Sequence, residues 1–184
     1  MDTSLVGIGK QTIEVEENHP VLKDNHLETY EKTLAYSGLK LHQEISFRNV
    51  RIYENEFIHQ IFTINDPKLP HLVFLHGYGG NSMTAVRIFK ELHAYFQIHA
   101  LDAFGIGYSS RGNFKDEYDF DQTRSYYIDA IEEWRKASKI DQFYLVGHSF
   151  GGYLAASYAQ KYPQTVLRLS LVSPAGTSAP RVVE

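Results

Sequence analysis

The sequence predicts an α/β fold: a mostly parallel sheet with helices on both faces, preceded by an antiparallel hairpin. Short continuous apolar runs, such as Leu72-Val73-Phe74-Leu75 and Phe143-Tyr144-Leu145-Val146, read as strands buried on both faces. They alternate with segments of helical period, and the order β-α-β-α-β-α-β implies parallel strands joined by right-handed crossovers. The composition supports a packed core, since 43% of the 184 residues are hydrophobic, 14% aromatic and 22% charged.

The elements follow in order. Residues 1–23 are polar and aperiodic, Pro20 interrupts them, and they read as an extended arm. Asp24 can cap a short helix that runs through Tyr36 and is ended by Gly38. Residues 1–40 therefore form an arm and short helix, and residues 41–184 a partial α/β domain. Between 41 and 64 the apolar positions are β-branched or aromatic and roughly alternate (Ile45, Phe47, Phe57, Ile58, Ile61, Phe62, Ile64), with Asn55 at the turn of a hairpin. Asn65-Asp66-Pro67 closes it. After the strand at 72–75 come a glycine turn, a helical stretch at 82–95, a strand at 98–101 and a loop at 105–114. The segment 119–139 is helical, because Tyr127, Ile128, Ile131 and Trp134 share one face. A strand at 143–146, a helix at 149–162 stopped by Pro163, and a strand at 167–172 complete the chain.

Several function classes are excluded or disfavoured. Without cysteine there is no disulfide, thiolate metal site or Cys nucleophile. A net charge of −4 offers nothing for nucleic acid. Histidines 19, 26, 42, 59, 71, 93 and 99 lack metal-ligand spacing and are expected to be solvated or paired with backbone. Gly77-x-Gly79 and Gly105-x-Gly107 each lack the third glycine of a dinucleotide loop, so no cofactor is expected. The first ten residues do not form a secretory signal, and no apolar run is long enough to span a bilayer. The expected location is cytoplasmic or peripheral on an intracellular membrane, with mitochondrial association allowed and secretion not expected.

The motif with most chemical content is Gly147-His148-Ser149-Phe150-Gly151. A serine held in a tight strand-to-helix turn is a nucleophile elbow, and small residues two before and two after relieve the crowding there. Three fixed positions alone arise by chance in roughly a few per cent of chains this long. The buried strand leading in and the Ala-rich helix leading out discriminate, and Gly152 adds to the pattern. The alternative is a glycine turn with an unremarkable serine. Oxyanion stabilisation needs preorganised N–H donors, and the candidates are the backbone amides of Phe150 and of Tyr78 in His76-Gly77-Tyr78-Gly79-Gly80. His76, beside the loop glycines, reads as a structural hydrogen-bonding residue rather than a base. Asp102, after the strand at 98–101, reads as a residue that ties its loop together rather than a catalytic acid. His19-x4-Asp24 lies in a polar arm and is treated as coincidence.

Together these segments resemble the α/β-hydrolase fold family, and more closely a glycerolipid-metabolising subfamily. That group includes a lysophospholipase of N-acyl phospholipids, cardiolipin deacylases and a lipid-droplet co-activator of triglyceride lipase. The likeness rests on residues 76–80, 102–111, Ile131-Glu132-Glu133-Trp134-Arg135, residues 147–155, Lys161-Tyr162-Pro163 and residues 171–176. It covers about residues 45–180, and the Ile-Glu-Glu-Trp-Arg string is its most specific part. The co-activator lacks the elbow serine, so Ser149 makes this chain look like the enzymatic branch. That branch carries a C-terminal His-x4-Asp motif with no counterpart here. The resemblance implies a lipid ester substrate, and contact with a membrane or lipid droplet.

In this fold the triad runs Ser, acid, His along the chain. After Ser149 there is no histidine, and the only carboxylate side chain is Glu184. The resemblance also implies further strands and most of a lid beyond what is present, leaving 167–172 as an exposed sheet edge that a partner could cover. Three explanations are open: the N-terminal portion of a longer enzyme (the favoured one), a short relic working as a subunit, or a chain completed by an adjoining one. Two functions are weighed: a serine hydrolase or acyltransferase of phospholipid or acylglycerol esters, and a catalytically inactive module in a larger assembly.

Overall fold

A computed structural model describes residues 24–177, with side chains from residue 28. The expected arm at 1–23, with His19, and Glu184 lie outside the described residues. Helix α1 (Asp24–Leu34) continues into a single 3₁₀ turn, Ala35–Ser37. Gly38 ends it at φ 72, a left-handed conformation that glycine adopts without steric cost, and donates its N–H to Ala35 O.

The hairpin comprises β1 (Ile45–Tyr53) and β2 (Glu56–Thr63), turning at Glu54 and Asn55. Strands β3 (His71–Leu75), β4 (Gln97–Leu101), β5 (Phe143–His148) and β6 (Val166–Val172) follow. They form one six-stranded sheet in the order β1-β2-β4-β3-β5-β6. β3 runs parallel to β4 and β5, β5 runs parallel to β6, and the hairpin joins antiparallel through β2 and β4.

Alternation along the strands divides the core into two layers. Val73, Leu75 and Leu145 face α3 (Phe120–Ala137) and α4 (Phe150–Lys161), packing with Ile128, Ile131, Trp134, Leu154 and Tyr158. Leu72, Ile98 and Ala100 point to the other face, against Tyr30, Leu34, Val86 and Phe89. Helices on both faces of a mostly parallel sheet are the predicted architecture. Helix α3 starts in a capping box, in which Asp119 accepts from the Gln122 N–H and the Gln122 side chain accepts from the Asp119 N–H. Within it Trp134 is fully buried and donates Nε1–H to Gln60 Oε1 at 3.1 Å.

Two expectations are corrected. The stretch 82–95 is not one α-helix: Ser82–Ile88 is 3₁₀ and only Phe89–Leu92, α2, is α-helical. Asn81 caps its start, and the Ser82 N–H is drawn to the Asp102 carboxylate at 2.6 Å, so tertiary anchoring overrides local helical preference. The histidines are also more engaged than expected. His59 is fully buried, with Tyr30 Oη at 2.7 Å and Asn49 Oδ1 at 2.8 Å. His99 is buried between His71 and Gln60. As expected, β6 lies at the edge of the sheet, and Leu167, Leu169, Leu171 and Val172 are exposed.

Candidate active site

Parallel topology sets the site's position. The carboxyl ends of β3, β4 and β5 lie side by side, and the loops leaving them converge. Ser149 stands between the end of β5 and the first turn of α4, at φ 54 and ψ −117. A side chain in that region carries strain of about 1–3 kcal/mol, which the surroundings must hold. They do so through the Ser149 backbone. Its N–H donates to Val172 O at 3.0 Å, and its carbonyl accepts from the amides of Gly152 and Ala175, both at 2.9 Å.

The glycines permit this turn for measurable reasons. A Cβ on Gly147 would stand 2.3 Å from Gly151 O, and one on Gly151 would stand 2.3 Å from Leu75 O and 2.5 Å from His76 O. A Cβ on Gly152 would meet Pro174 at 2.8 Å. Helix α4 therefore packs its backbone directly on the end of β3.

The same packing brings the loop after β3 to the serine. A Cβ on Gly77 would lie 3.1 Å from Ser149 Cβ and 3.1 Å from His148 Nδ1. The loop is a turn closed by Gly80 N–H to Gly77 O at 3.0 Å, with Gly79 at φ 71 in its third position. Tyr78 follows Gly77 with its side chain exposed. The Phe150 amide opens α4, where no intrahelical acceptor exists for it. Both candidate oxyanion donors thus sit in segments that adjoin Ser149.

His76 is buried with both ring nitrogens occupied. Ala103 N–H donates to Nε2 at 3.0 Å, so Nδ1 carries the proton and donates to Gly77 O at 2.8 Å. Asp102 is fully buried: Oδ1 accepts from Ser82 N–H, Oδ2 from Tyr108 N–H at 2.7 Å, and its backbone carbonyl from Ser109 Oγ at 2.7 Å. Neither group is free to take a proton from Ser149. His148 is exposed beside the serine, its ring against Gly77. Motif reading did not single out Ala103, Ser82, Ser109 or Pro174 individually. The first three act through long-range partners that leave no local pattern, and Pro174 falls within the segment at 171–176 already noted for its likeness.

An aromatic rim surrounds the elbow. Phe150 packs against Tyr127 and Tyr153, and Tyr153 against Phe120, whose ring is largely exposed. Among the described residues no helix is long and apolar enough to cross a membrane.

A parallel sheet of this order, with a strained serine at a glycine-flanked strand–helix junction, defines a protein class. The family model for the alpha/beta hydrolase fold matches residues 70–183, and the chain belongs to that family. An Arabidopsis thaliana protein named 1-acylglycerol-3-phosphate O-acyltransferase is 42% identical over 126 residues, which are 68% of this chain and 30% of that protein. The Mus musculus 1-acylglycerol-3-phosphate O-acyltransferase ABHD5 is 40% identical over 126 residues, 68% of this chain and 34% of its own. The chain thus spans about a third of the length of the curated relatives it matches. Among solved structures, a membrane phospholipase A described as a bacterial virulence factor superposes with TM-score 0.69 at 26% identity. That match covers 84% of this chain and 46% of the other. The predicted likeness to glycerolipid-metabolising members agrees with these relatives.

Proposed function

We propose that this chain carries the nucleophile and oxyanion site of a serine hydrolase or acyltransferase acting on phospholipid or acylglycerol esters. The observation that carries the reading is Ser149 itself, strained at φ 54 with the Gly77 loop against it. Ser149 Oγ attacks the ester carbonyl, and the amides of Phe150 and Tyr78 hold the resulting oxyanion. Collapse expels the alcohol, which takes the serine's proton by way of a base, and leaves an acyl-enzyme. Water or an acceptor hydroxyl then takes the acyl group. His76 and Asp102 position the loops rather than act as that base and its acid. The histidine and acid of the triad come from outside residues 1–184, a reading supported by curated relatives that are about twice this chain's length. His76, Gly77, Asp102, Gly147, His148 and Gly151 support the geometry.

Lipid as substrate is supported by the names of the relatives and by the exposed rings of Tyr78 and Phe120 near the elbow. Aromatic side chains at a rim suit a membrane or droplet interface. The test is release of fatty acid from lysophospholipid and monoacylglycerol micelles by the full-length protein, including the segment that supplies the base and acid. Loss of at least about 10³-fold in kcat is expected for Ser149→Ala, and unchanged turnover in that variant would refute the reading. A second reading, an inactive module, draws on the exposed apolar edge of β6. It predicts no Ser149-dependent turnover and a stable complex in which that edge is protected from hydrogen exchange.

A further inference from the structure

A polar cavity lies at the opposite end of the sheet from Ser149. It has a volume of about 550 Å³ and opens under the C-terminus of α3, where β3 and β4 begin. His71 marks it on β3, and Leu75, at the far end of that strand, abuts Gly151. The two sites are therefore separated by the length of β3, about 13 Å.

Arg48 and Lys139 give the lining positive charge, His71 and His99 line it as imidazoles whose pKa values burial lowers, and no described carboxylate contributes. Arg48 is the telling residue. Its Nε is buried without a hydrogen-bond partner among the described residues, and burial alone depresses its pKa, with no acid nearby to restore it. Its guanidinium lies 4.8 Å over the Phe62 ring, which orients the charge without neutralising it. A part-buried cation without a counter-ion carries a desolvation cost, which a bound anion would offset. Among the described residues, Ser138 Oγ is a second buried group without a hydrogen-bond partner, on a residue of the cavity wall.

Lys139 adds a backbone argument. It occupies φ 56 just beyond the α3 C-cap, a position glycine ordinarily takes. Lysine there accepts backbone strain at a residue that lines the cavity. The negative end of the α3 dipole opposes an anion. That opposition is reduced because the carbonyls of Trp134, Lys136 and Arg135 are capped by the amides of Ser138, Lys139 and Ile140. Inside, His99 Nδ1 faces Gln60 Oε1 at 3.3 Å, which also accepts from Trp134, and His99 Nε2 faces His71 Nδ1 at 3.0 Å. With His99 neutral and its proton on Nδ1, His71 donates from Nδ1. Burial lowers the His71 pKa, which leaves its Nε2 as an acceptor.

We propose that this cavity binds the phosphate group of a small phosphorylated molecule, with Arg48 as principal contact and Ser138 and Lys139 as supporting donors. Phosphate fits better than carboxylate because its oxygens can engage a guanidinium fork, an ammonium and a hydroxyl together. The volume falls within the roughly 300–1,000 Å³ of small-molecule pockets and exceeds what a bare ion needs, leaving room for an organic substituent.

The test is the melting temperature of the full chain titrated with inorganic phosphate, phenyl phosphate and acetate at matched ionic strength. Saturable stabilisation is expected with both phosphates and not with acetate. If phenyl phosphate binds more tightly than the free ion, the ligand is a phosphate ester; if not, it is free phosphate. Arg48→Met is expected to weaken phosphate at least 10-fold and to melt no lower than wild type without ligand, because it removes an uncompensated charge. Lys139→Gln, at an exposed side chain, is expected to weaken phosphate 3- to 10-fold and decides the matter if Arg48→Met fails to fold. Ser149→Ala is expected to bind as wild type. No saturable response to phosphate overturns the proposal. Equal binding of acetate, an unchanged response in both Arg48→Met and Lys139→Gln, or loss of the response in Ser149→Ala overturns it as well.

Discussion

Replacing Gly151 by alanine tests the packing on which the elbow depends. The added methyl would start 2.3 Å from Leu75 O and 2.5 Å from His76 O. Carbon–oxygen contacts settle near 3.3 Å, so α4 and the end of β3 must separate by about 1 Å. The opposing atoms are backbone at the centre of the sheet and cannot swing aside as a side chain would. Overpacking costs about 1–3 kcal/mol, and this site belongs at the upper end. For a domain of this size each kcal/mol lowers the melting temperature by about 2–4 °C, so a drop of about 6–12 °C is expected by calorimetry. The same separation moves the Gly77 loop off Ser149, and a 1 Å misplacement at a reacting centre can cost about 10²-fold in rate. Gly79→Ala is the control: φ is 71, but nothing lies within 4 Å of its Cβ, so only backbone strain of about 1–2 kcal/mol applies. A Gly151→Ala protein as stable as wild type, or more stable than Gly79→Ala, would refute the packing argument.

Other predictions follow from buried polar groups. His76→Ala should lower stability by about 1–3 kcal/mol in urea unfolding, because it strands the Ala103 amide and removes one of the two donors to the Gly77 carbonyl. Trp134→Phe should cost about 1–2 kcal/mol by the same assay, since it removes the bond to Gln60 and part of a fully buried ring. Burial, with His71 and Arg48 beside it, pushes the His99 pKa down to about 3. The unfolded value is about 6.5, so the unfolded chain binds the extra proton first. The stability held above pH 6.5 is therefore lost as pH falls toward 3, by at most about 1.4 kcal/mol per unit. A His99→Gln variant should show a shallower stability slope between pH 6 and 4, and an unchanged slope would contradict this.

Much of the fold was legible because its signals are local. The apolar run 72–75 lies in β3, and the helical spacing of Tyr127, Ile128, Ile131 and Trp134 lies in α3. The glycines of residues 147–151 bracket a serine at a strand–helix junction. Strand order was not legible, because nothing in a strand names its neighbour, and β4 proved to lie between β2 and β3. The 3₁₀ course of Ser82–Ile88 was hidden because its cause, the Asp102 carboxylate, lies far along the chain. The pairing of His59 with Tyr30, and of His71 with His99, was hidden for the same reason. At the candidate site, sequence placed the serine and its loop, and their close approach at Gly77 emerged only in three dimensions.

The most direct test of the central claim is labelling of Ser149 by an acyl-mimicking fluorophosphonate in the folded full-length protein, with the site mapped by mass spectrometry. The account predicts one phosphonylated peptide containing Ser149, lost in Ser149→Ala and protected by a lipid ester. A folded full-length protein that leaves Ser149 unlabelled would contradict it.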